Sequence, residues 1–487
     1  MRARLVGGQL LLATLAISLA ALIVVQPTLA IAGLAILLGG GLVANVLTRR
    51  PLLAFSTAPF LVLLTWTKFR GRDASEALSG SVDMQVGFEL GASAVLFLIA
   101  LLAWKRARDE GRMRLLPVEW VLLVYAGLAI LSTLWSPVRA ITAVRSFQVL
   151  TLVMLAIGLV RVRGPERMIN DLISAMILYT MVFVTISIVV PSTAAVRVVH
   201  GGLTRYSWFA MHPGQISLLA GSAIVLLTAK GLFGGGFRQR VLFLPVWVCL
   251  VGMAALLAAS RGRGPAIGAA AAVIALLAAR FLPRWVIPTV VATAAAAILV
   301  FINLGPQLSD VLASAALSNN PVIAFVIRGQ TAEEFKTLSS RTDLWAVVFD
   351  MVVQQPILGH GYNSSRLLLL EKVPWAAHAH NAWAQSLLDL GIVGTSLLTV
   401  VVFSMFWPIL PQIRITRRSS FIGSVALGIG ILMALEAITS ESFASGSLLD
   451  LMVLLTGVSA AAASINPSLT QASLAHSSFP RDSSCAY

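Results

Sequence analysis

Apolar residues come in runs of about 16 to 25 along this chain, separated by short polar clusters. A helix needs roughly 20 residues to cross a bilayer core about 30 Å thick, so each long run predicts a membrane-spanning helix. The predicted spans are 5–25, 29–47, 51–67, 85–104, 116–135, 146–160, 168–190, 215–229, 241–259, 264–281, 285–302, 381–407, 421–439 and 445–463. The count falls to twelve if the short, closely paired runs merge. None shows the period-two alternation of an outer-membrane barrel. The first run follows the basic start Met1–Arg4 without a convincing cleavage site, and reads as a membrane helix rather than a leader. The fold class is therefore all-α: a polytopic transmembrane protein of about 12–14 spans.

Composition agrees, with 58% hydrophobic and only 11% charged residues. That is too little charge to cover a soluble globule. The net charge of +15 would suggest nucleic acid in a soluble protein. Here it sorts instead by topology. With both termini cytoplasmic, the inner segments are Arg2/Arg4, Arg49/Arg50, Lys105–Arg114, Arg161–Arg167, Lys230–Arg240, Arg280/Arg284, Arg414–Arg418 and the tail. They hold most of the 35 basic residues, mainly in short loops, as the positive-inside rule requires. A plasma-membrane protein with no nucleic-acid partner follows. Cys249 and Cys485 suggest neither a disulfide nor a metal site.

This topology predicts N-terminal helices over 1–190, helices with outer arginine loops over 191–302 and a large, partly helical extracytoplasmic loop over 303–380. C-terminal helices over 381–463 and a disordered cytoplasmic tail over 464–487 complete it. A helix is expected within the loop over Thr342–Gln355.

The informative residues are cations on the side the charge bias avoids. Arg261 and Arg263 lie in Ser260-Arg261-Gly262-Arg263-Gly264, between two spans. Arg205 lies in the loop 191–214, and Arg341 opens the helix of the large loop. One such arginine is ordinarily a snorkelling side chain. Several on one face, with few acids beside them in sequence, suit an external anion, because the guanidinium fork donates two parallel bonds to a phosphate. His200, His212, His360, His378 and His380 also fall in outer segments. His380 stands at a helix mouth in His378-Ala379-His380-Asn381, where a neutral imidazole can accept a proton from a hydroxyl. A His-x-His pair can bind metal, but no carboxylate or thiolate follows nearby to complete the ligand set.

These segments together resemble the bacterial O-antigen ligase and O-antigen or exopolysaccharide polymerase superfamily. His380-Asn381 precedes Gly391 and Gly394 at the family's spacing. Arg341–Trp345 and Pro356-Ile357-Leu358-Gly359-His360-Gly361 resemble its Arg-and-Trp helix and its Pro-x-x-Gly-x-Gly turn. Ser260-Arg261-Gly262 resembles its Ser-Arg-Gly, and Arg205 with His212-Pro213-Gly214 its Arg and His-Pro-Asn, with Gly214 in place of Asn.

The resemblance implies a metal-independent glycosyltransferase without cofactor, acting on a glycan carried by undecaprenyl diphosphate at the outer leaflet. The acceptor would be a glycan, a lipid core or a protein hydroxyl. Other polysaccharide assembly proteins would be partners beside the lipid bilayer. In that reading Arg205, Arg261 and Arg341 hold the diphosphate, with Arg263 in reserve, and His380 is the base. Asn381 and His378 support it, and Gly391 and Gly394 allow close helix packing. The tryptophans Trp345, Trp375 and Trp383 suit interface anchoring or sugar stacking. The rival class is a transporter or lipid flippase, which places ionisable residues within the spans and repeats its halves. Here the mid-span positions are almost free of charge, with Glu436, near an end, as an exception.

Overall fold

The computed structural model describes residues 51–71, 83–198, 204–282, 341–406, 421–438, 440 and 448–465. The predicted spans 5–25, 29–47 and 285–302, residues 303–340 of the large loop and residues 466–487 of the tail lie outside the described residues.

The described chain is helical wherever the apolar runs predict it. The helices are α1 (Pro51–Trp66), α2 (Met84–Asp109), α3 (Pro117–Leu131), α4 (Arg139–Arg163) and α5 (Pro165–Val189). After them come α6 (Pro213–Phe233), α7 (Val246–Ser260) and α8 (Arg263–Phe281). The remainder are α9 (Arg341–Gln354), α10 (Ser365–Lys372), α11 (Ala382–Phe406), α12 (Phe421–Glu436) and α13 (Leu448–Ile465). Among the described residues 7 helical segments are long and apolar enough to cross a membrane. With 26 residues, α2 extends about 39 Å at 1.5 Å per residue, more than the bilayer core needs. The real helices overrun the predicted ones where polar residues continue the turn, most clearly in α4, which begins at Arg139 rather than 146. Two short hairpins break the all-helical pattern: β1 (Ala194–Val198) with β2 (Thr204–Trp208), and β3 (Arg240–Val241) with β4 (Leu244–Pro245).

Most of α6 is buried, and it packs against α7, α8 and α12. On the other side α13 packs on α4 and α5, and α3 on α4 and α11. Large apolar side chains such as Trp120, Val124, Val251, Ile274 and Phe403 stay exposed. On a spanning helix that surface faces lipid tails, where exposure carries no hydrophobic cost.

Polar contacts sort the helix ends into two faces, as the predicted topology requires. On one face Arg161 pairs with Glu119 at 2.6 Å and donates to Arg114 O at 3.1 Å. Arg163 pairs there with Asp171, and Lys230 bonds Asn170 and lies over the Phe421 ring. All are ends predicted as cytoplasmic. On the other face Ala210 N bonds Lys68 O at 2.9 Å and Ala382 N bonds Ala437 O at 2.8 Å. Trp135 Nε1 and Leu358 O, and Tyr362 N and Ser132 Oγ, join the large loop to the end of α3. All of these are ends predicted as outer.

Candidate functional site

Three local devices build the site on that second face. The first is a break in α11. Gly391 has φ 64 and ψ −162, a conformation essentially reserved for glycine. The break removes the helical bonds that Ile392 and Val393 N would make to Leu388 and Asp389 O. The 356–361 turn replaces both. His360 N and Gly361 N donate to Leu388 and Asp389 O at 3.0 and 2.7 Å, while Ile392 N and Val393 N donate to Pro356 and Ile357 O at 2.9 and 3.2 Å. A Cβ on Gly391 would lie 2.3 Å from Ile357 O. The glycine therefore docks a turn into a broken helix, which corrects the expectation of helix-on-helix packing. Gly394 faces Leu390 of its own helix across the break.

The second device clamps the histidine loop. Asn381 Oδ1 accepts from Trp383 N and Ala384 N at 3.0 and 2.9 Å, capping the first turn of α11. The peptide between His378 and His380 is held at both ends: Ala379 N donates to Gln385 Oε1 at 2.8 Å, and Trp345 Nε1 donates to Ala379 O at 2.9 Å. Gln385 is anchored in turn by Ser365 and by Asp389 Oδ2. Trp345 lies one turn beyond Arg341 on α9, so the clamp fixes the histidines relative to that arginine. His380 sits at φ 50, left-handed, its ring 3.9 Å from the His378 ring and stacked near Trp375. Among the described residues no group hydrogen-bonds the His380 ring.

The third device is the turn between α7 and α8. Ser260 Oγ accepts from Ser217 Oγ at 2.8 Å and bonds back to Leu256 O. Arg261 takes the left-handed cap at φ 51. A Cβ on Gly262 would lie 2.2 Å from Ser217, so Ser-Arg-Gly is a packing requirement as well as a chemical motif. Ser260 O accepts from Arg205 Nε at 3.1 Å, which brings the β2 arginine, itself buried, to this turn.

These devices bring the cations together. Arg341 and Arg205 act electrostatically on Arg263, and Arg341 acts on both histidines. The reserve candidate Arg263 is thus a residue whose charge meets Arg205 and Arg341; it opens α8, two residues after Arg261 in the left-handed cap. Burial, then the neighbouring His378, Arg341 and His212, pushes the His380 imidazole down to about 2. Burial, then Arg366 and Arg341, pushes His378 down to about 3. Both rings are therefore neutral bases. Burial also lowers the Arg341 guanidinium, opposed by Glu436.

Glu436 corrects the expectation that few acids face these arginines. It is distant in sequence, so only the packing of α12 could reveal it. Glu89, Glu119 and Asp450 are also buried, all in the first two turns of their helices rather than mid-span, and Asp389 lies two residues before the Gly391 break. Asp389 anchors the start of α10, where its Oδ1 accepts from Ser365 N at 3.1 Å. His360 is structural too, its Nε2 lying 3.0 Å from Met351 O. His200 lies outside the described residues. Among the described residues no three His, Cys, Asp or Glu side chains gather as a metal site.

Residues 248–399 match the family model described as O-antigen ligase. That segment, less than half of the chain, is similar to O-antigen ligases. Members are O-antigen ligases or polymerases, glycosyltransferase-like enzymes of membranes. The matched segment runs from α7 into α11, so it contains Arg261, Arg263, Arg341, both histidines, Asn381 and the Gly391 break. Arg205 precedes it. No curated protein matches the chain.

Proposed function

We propose that this protein transfers a glycan from an undecaprenyl-diphosphate donor at the outer face of the plasma membrane, with both termini cytoplasmic. Polymerisation of an exopolysaccharide or O-antigen is favoured over ligation, because nothing in residues 303–380 points to a lipid-core acceptor. The observation that carries the reading is the meeting of Arg205, Arg263 and Arg341 beside a neutral, unbonded imidazole.

In this reading Arg205, Arg261, Arg263 and Arg341 bind the diphosphate. An acceptor hydroxyl attacks the anomeric carbon of the donor glycan. The new C–O bond forms as the bond to the diphosphate oxygen breaks. The hydroxyl proton passes to His380, and the lipid diphosphate leaves with the electron pair. Arginines aimed at the leaving oxygens stabilise the charge that develops there, so the step requires no general acid.

The low proton affinity of His380 belongs to the same logic. An anion beside Arg341 offsets the positive field and raises the affinity of the imidazole for a proton. Donor binding therefore strengthens the base. His380 cannot be protonated wastefully before the donor arrives.

The test is Arg341→Lys, assayed with purified protein and a lipid-diphosphate oligosaccharide. The change keeps the charge and removes the fork. Transfer should fall at least roughly tenfold, the loss of one charge-assisted bond. Full activity would remove Arg341 from the anion site.

A further inference from the structure

The helix α9 of the large loop has three sides rather than two. Leu344, Val348, Met351 and Val352 are buried, in one cluster with Leu388 of α11. The exposed positions then sort again. Phe349 and Val353, four residues apart, are 52% and 77% exposed. Asp343, Asp350 and Gln354 are exposed as well. At 3.6 residues per turn these polar positions form a strip about 90° around the helix from the apolar one. Beyond the end of α9 the apolar stripe continues in Ile357, 64% exposed, and in Leu358.

A contiguous apolar stripe at a protein surface marks an interaction site. Its neighbours point to the partner. Pro356 O and Ile357 O accept from Ile392 N and Val393 N of α11, and both of those side chains are exposed on that spanning helix. Leu358 O accepts from Trp135 Nε1, next to the exposed Leu134 at the end of the α3 span. The stripe is therefore continuous with the lipid-facing surfaces of two spanning segments. Helix lengths agree. The segment Pro117–Leu134 has 18 residues, so Leu134 stands about 27 Å from the opposite end. Gly391 precedes Phe406 by 15 residues, about 22 Å. Both lengths set the 356–361 turn near the far edge of a hydrocarbon core about 30 Å thick. Irregular backbone is tolerated at that depth only where its polar groups are paired. The bonds between the turn and the broken α11 pair Pro356 O, Ile357 O, His360 N and Gly361 N.

We propose that Phe349, Val353, Ile357 and Leu358 form a lipid-contact surface immersed among the acyl chains of the outer leaflet. In this account α9 is an interfacial helix and not part of a water-borne loop. Protein covers its Leu344 and Val348 side, acyl chains meet Phe349 and Val353, and water meets Asp343, Asp350 and Gln354. An amphipathic helix in the interface buries its apolar side about 5–10 Å into the boundary between headgroups and chains. Arg341 opens the same helix, so immersion holds it at headgroup level, where lipid phosphates lie. The contact surface goes beyond the transferase reading, and only this consequence for Arg341 rests on it.

The test is spin labelling of the full chain in vesicles of phosphatidylethanolamine and phosphatidylglycerol, with no donor added. In a Cys249→Ala, Cys485→Ala background, Val353→Cys, Ile357→Cys, Asp350→Cys and Ile392→Cys each carry one nitroxide. Collisions with oxygen, which concentrates in hydrocarbon, are compared with collisions with a nickel chelate, which stays in water. Val353→Cys and Ile357→Cys should match Ile392→Cys and favour oxygen. Asp350→Cys, on the same helix, should favour nickel, and that contrast within one helix shows that α9 is folded and oriented. Nickel favoured at Val353→Cys as at Asp350→Cys would overturn the proposal, whether α9 is hydrated or detached. Shielding of Val353→Cys and Ile357→Cys from both reagents, lost as the protein is diluted in lipid, would overturn it in favour of a second copy of the chain. The readout uses no substrate, so its failure leaves the transferase reading standing.

Discussion

Gly391→Ala should separate the large loop from the bundle. The native backbone there has φ 64 and ψ −162, which costs a side-chain-bearing residue about 1–3 kcal/mol. The new Cβ would also meet Ile357 O at 2.3 Å, so the turn must move or the helix must straighten. Straightening would restore two helical bonds within α11. It would also strand His360 N, Gly361 N and the carbonyls of Pro356 and Ile357. Buried unpaired polar groups cost about 1–3 kcal/mol each, so even if water reaches half of these four the change loses roughly 2–6 kcal/mol. That is a large part of the roughly 5–15 kcal/mol that holds an ordinary domain folded. Unfolding in mixed micelles, followed by tryptophan fluorescence, would measure it. Trp135 reports directly, because its Nε1 bonds Leu358 O of the same turn. Gly91→Ala is the control, since a Cβ there meets nothing within 4 Å. If the two variants unfold within about 0.5 kcal/mol of each other, the docked turn does not hold the loop.

Three further outcomes are expected. First, kcat/KM reports the free enzyme, where His380 is pushed down to about 2, far below an ordinary imidazole near 6.5. The base therefore stays deprotonated as pH falls, and kcat/KM should be flat between about pH 8 and 5.5; an acid limb centred near 6.5 would contradict the depressed imidazole. Second, Trp345→Phe removes the donor to the buried Ala379 carbonyl and should cut transfer roughly tenfold by displacing the histidines, with donor binding kept; unchanged turnover would show that the clamp is idle. Third, a cysteine replacing the exposed Glu371 should react with an impermeant reagent outside the cell, and one replacing Arg108 should not. Reversed labelling would invert the topology and remove the site from the outer face.

Much of this architecture is legible in the sequence because bilayer physics leaves few choices. Long apolar runs become helices, and basic loops sort their ends into the two faces that the polar contacts join. Arg205, Arg341, His378 and His380 stand out because they are charged or titratable on the side where such residues are scarce. What the sequence hides depends on long-range packing. The meeting of Arg263 with Arg205 and Arg341 depends on how the turn between α7 and α8 packs against β2 and α9. Glu436 meets Arg341 only through the packing of α12. The role of Gly391 depends on backbone bonds to a turn some 30 residues earlier, which no periodicity encodes.

The central claim is that His380 acts as the base in transfer from a lipid diphosphate held by arginines. The most direct measurement compares wild type with His380→Ala, using a lipid-diphosphate oligosaccharide as sole substrate and resolving products by size, with donor binding measured alongside. The account predicts a ladder of lengthened glycans from wild type, its loss in the variant, and donor affinity that is nearly unchanged. A ladder that persists in His380→Ala, or donor binding that disappears with it, would contradict the account.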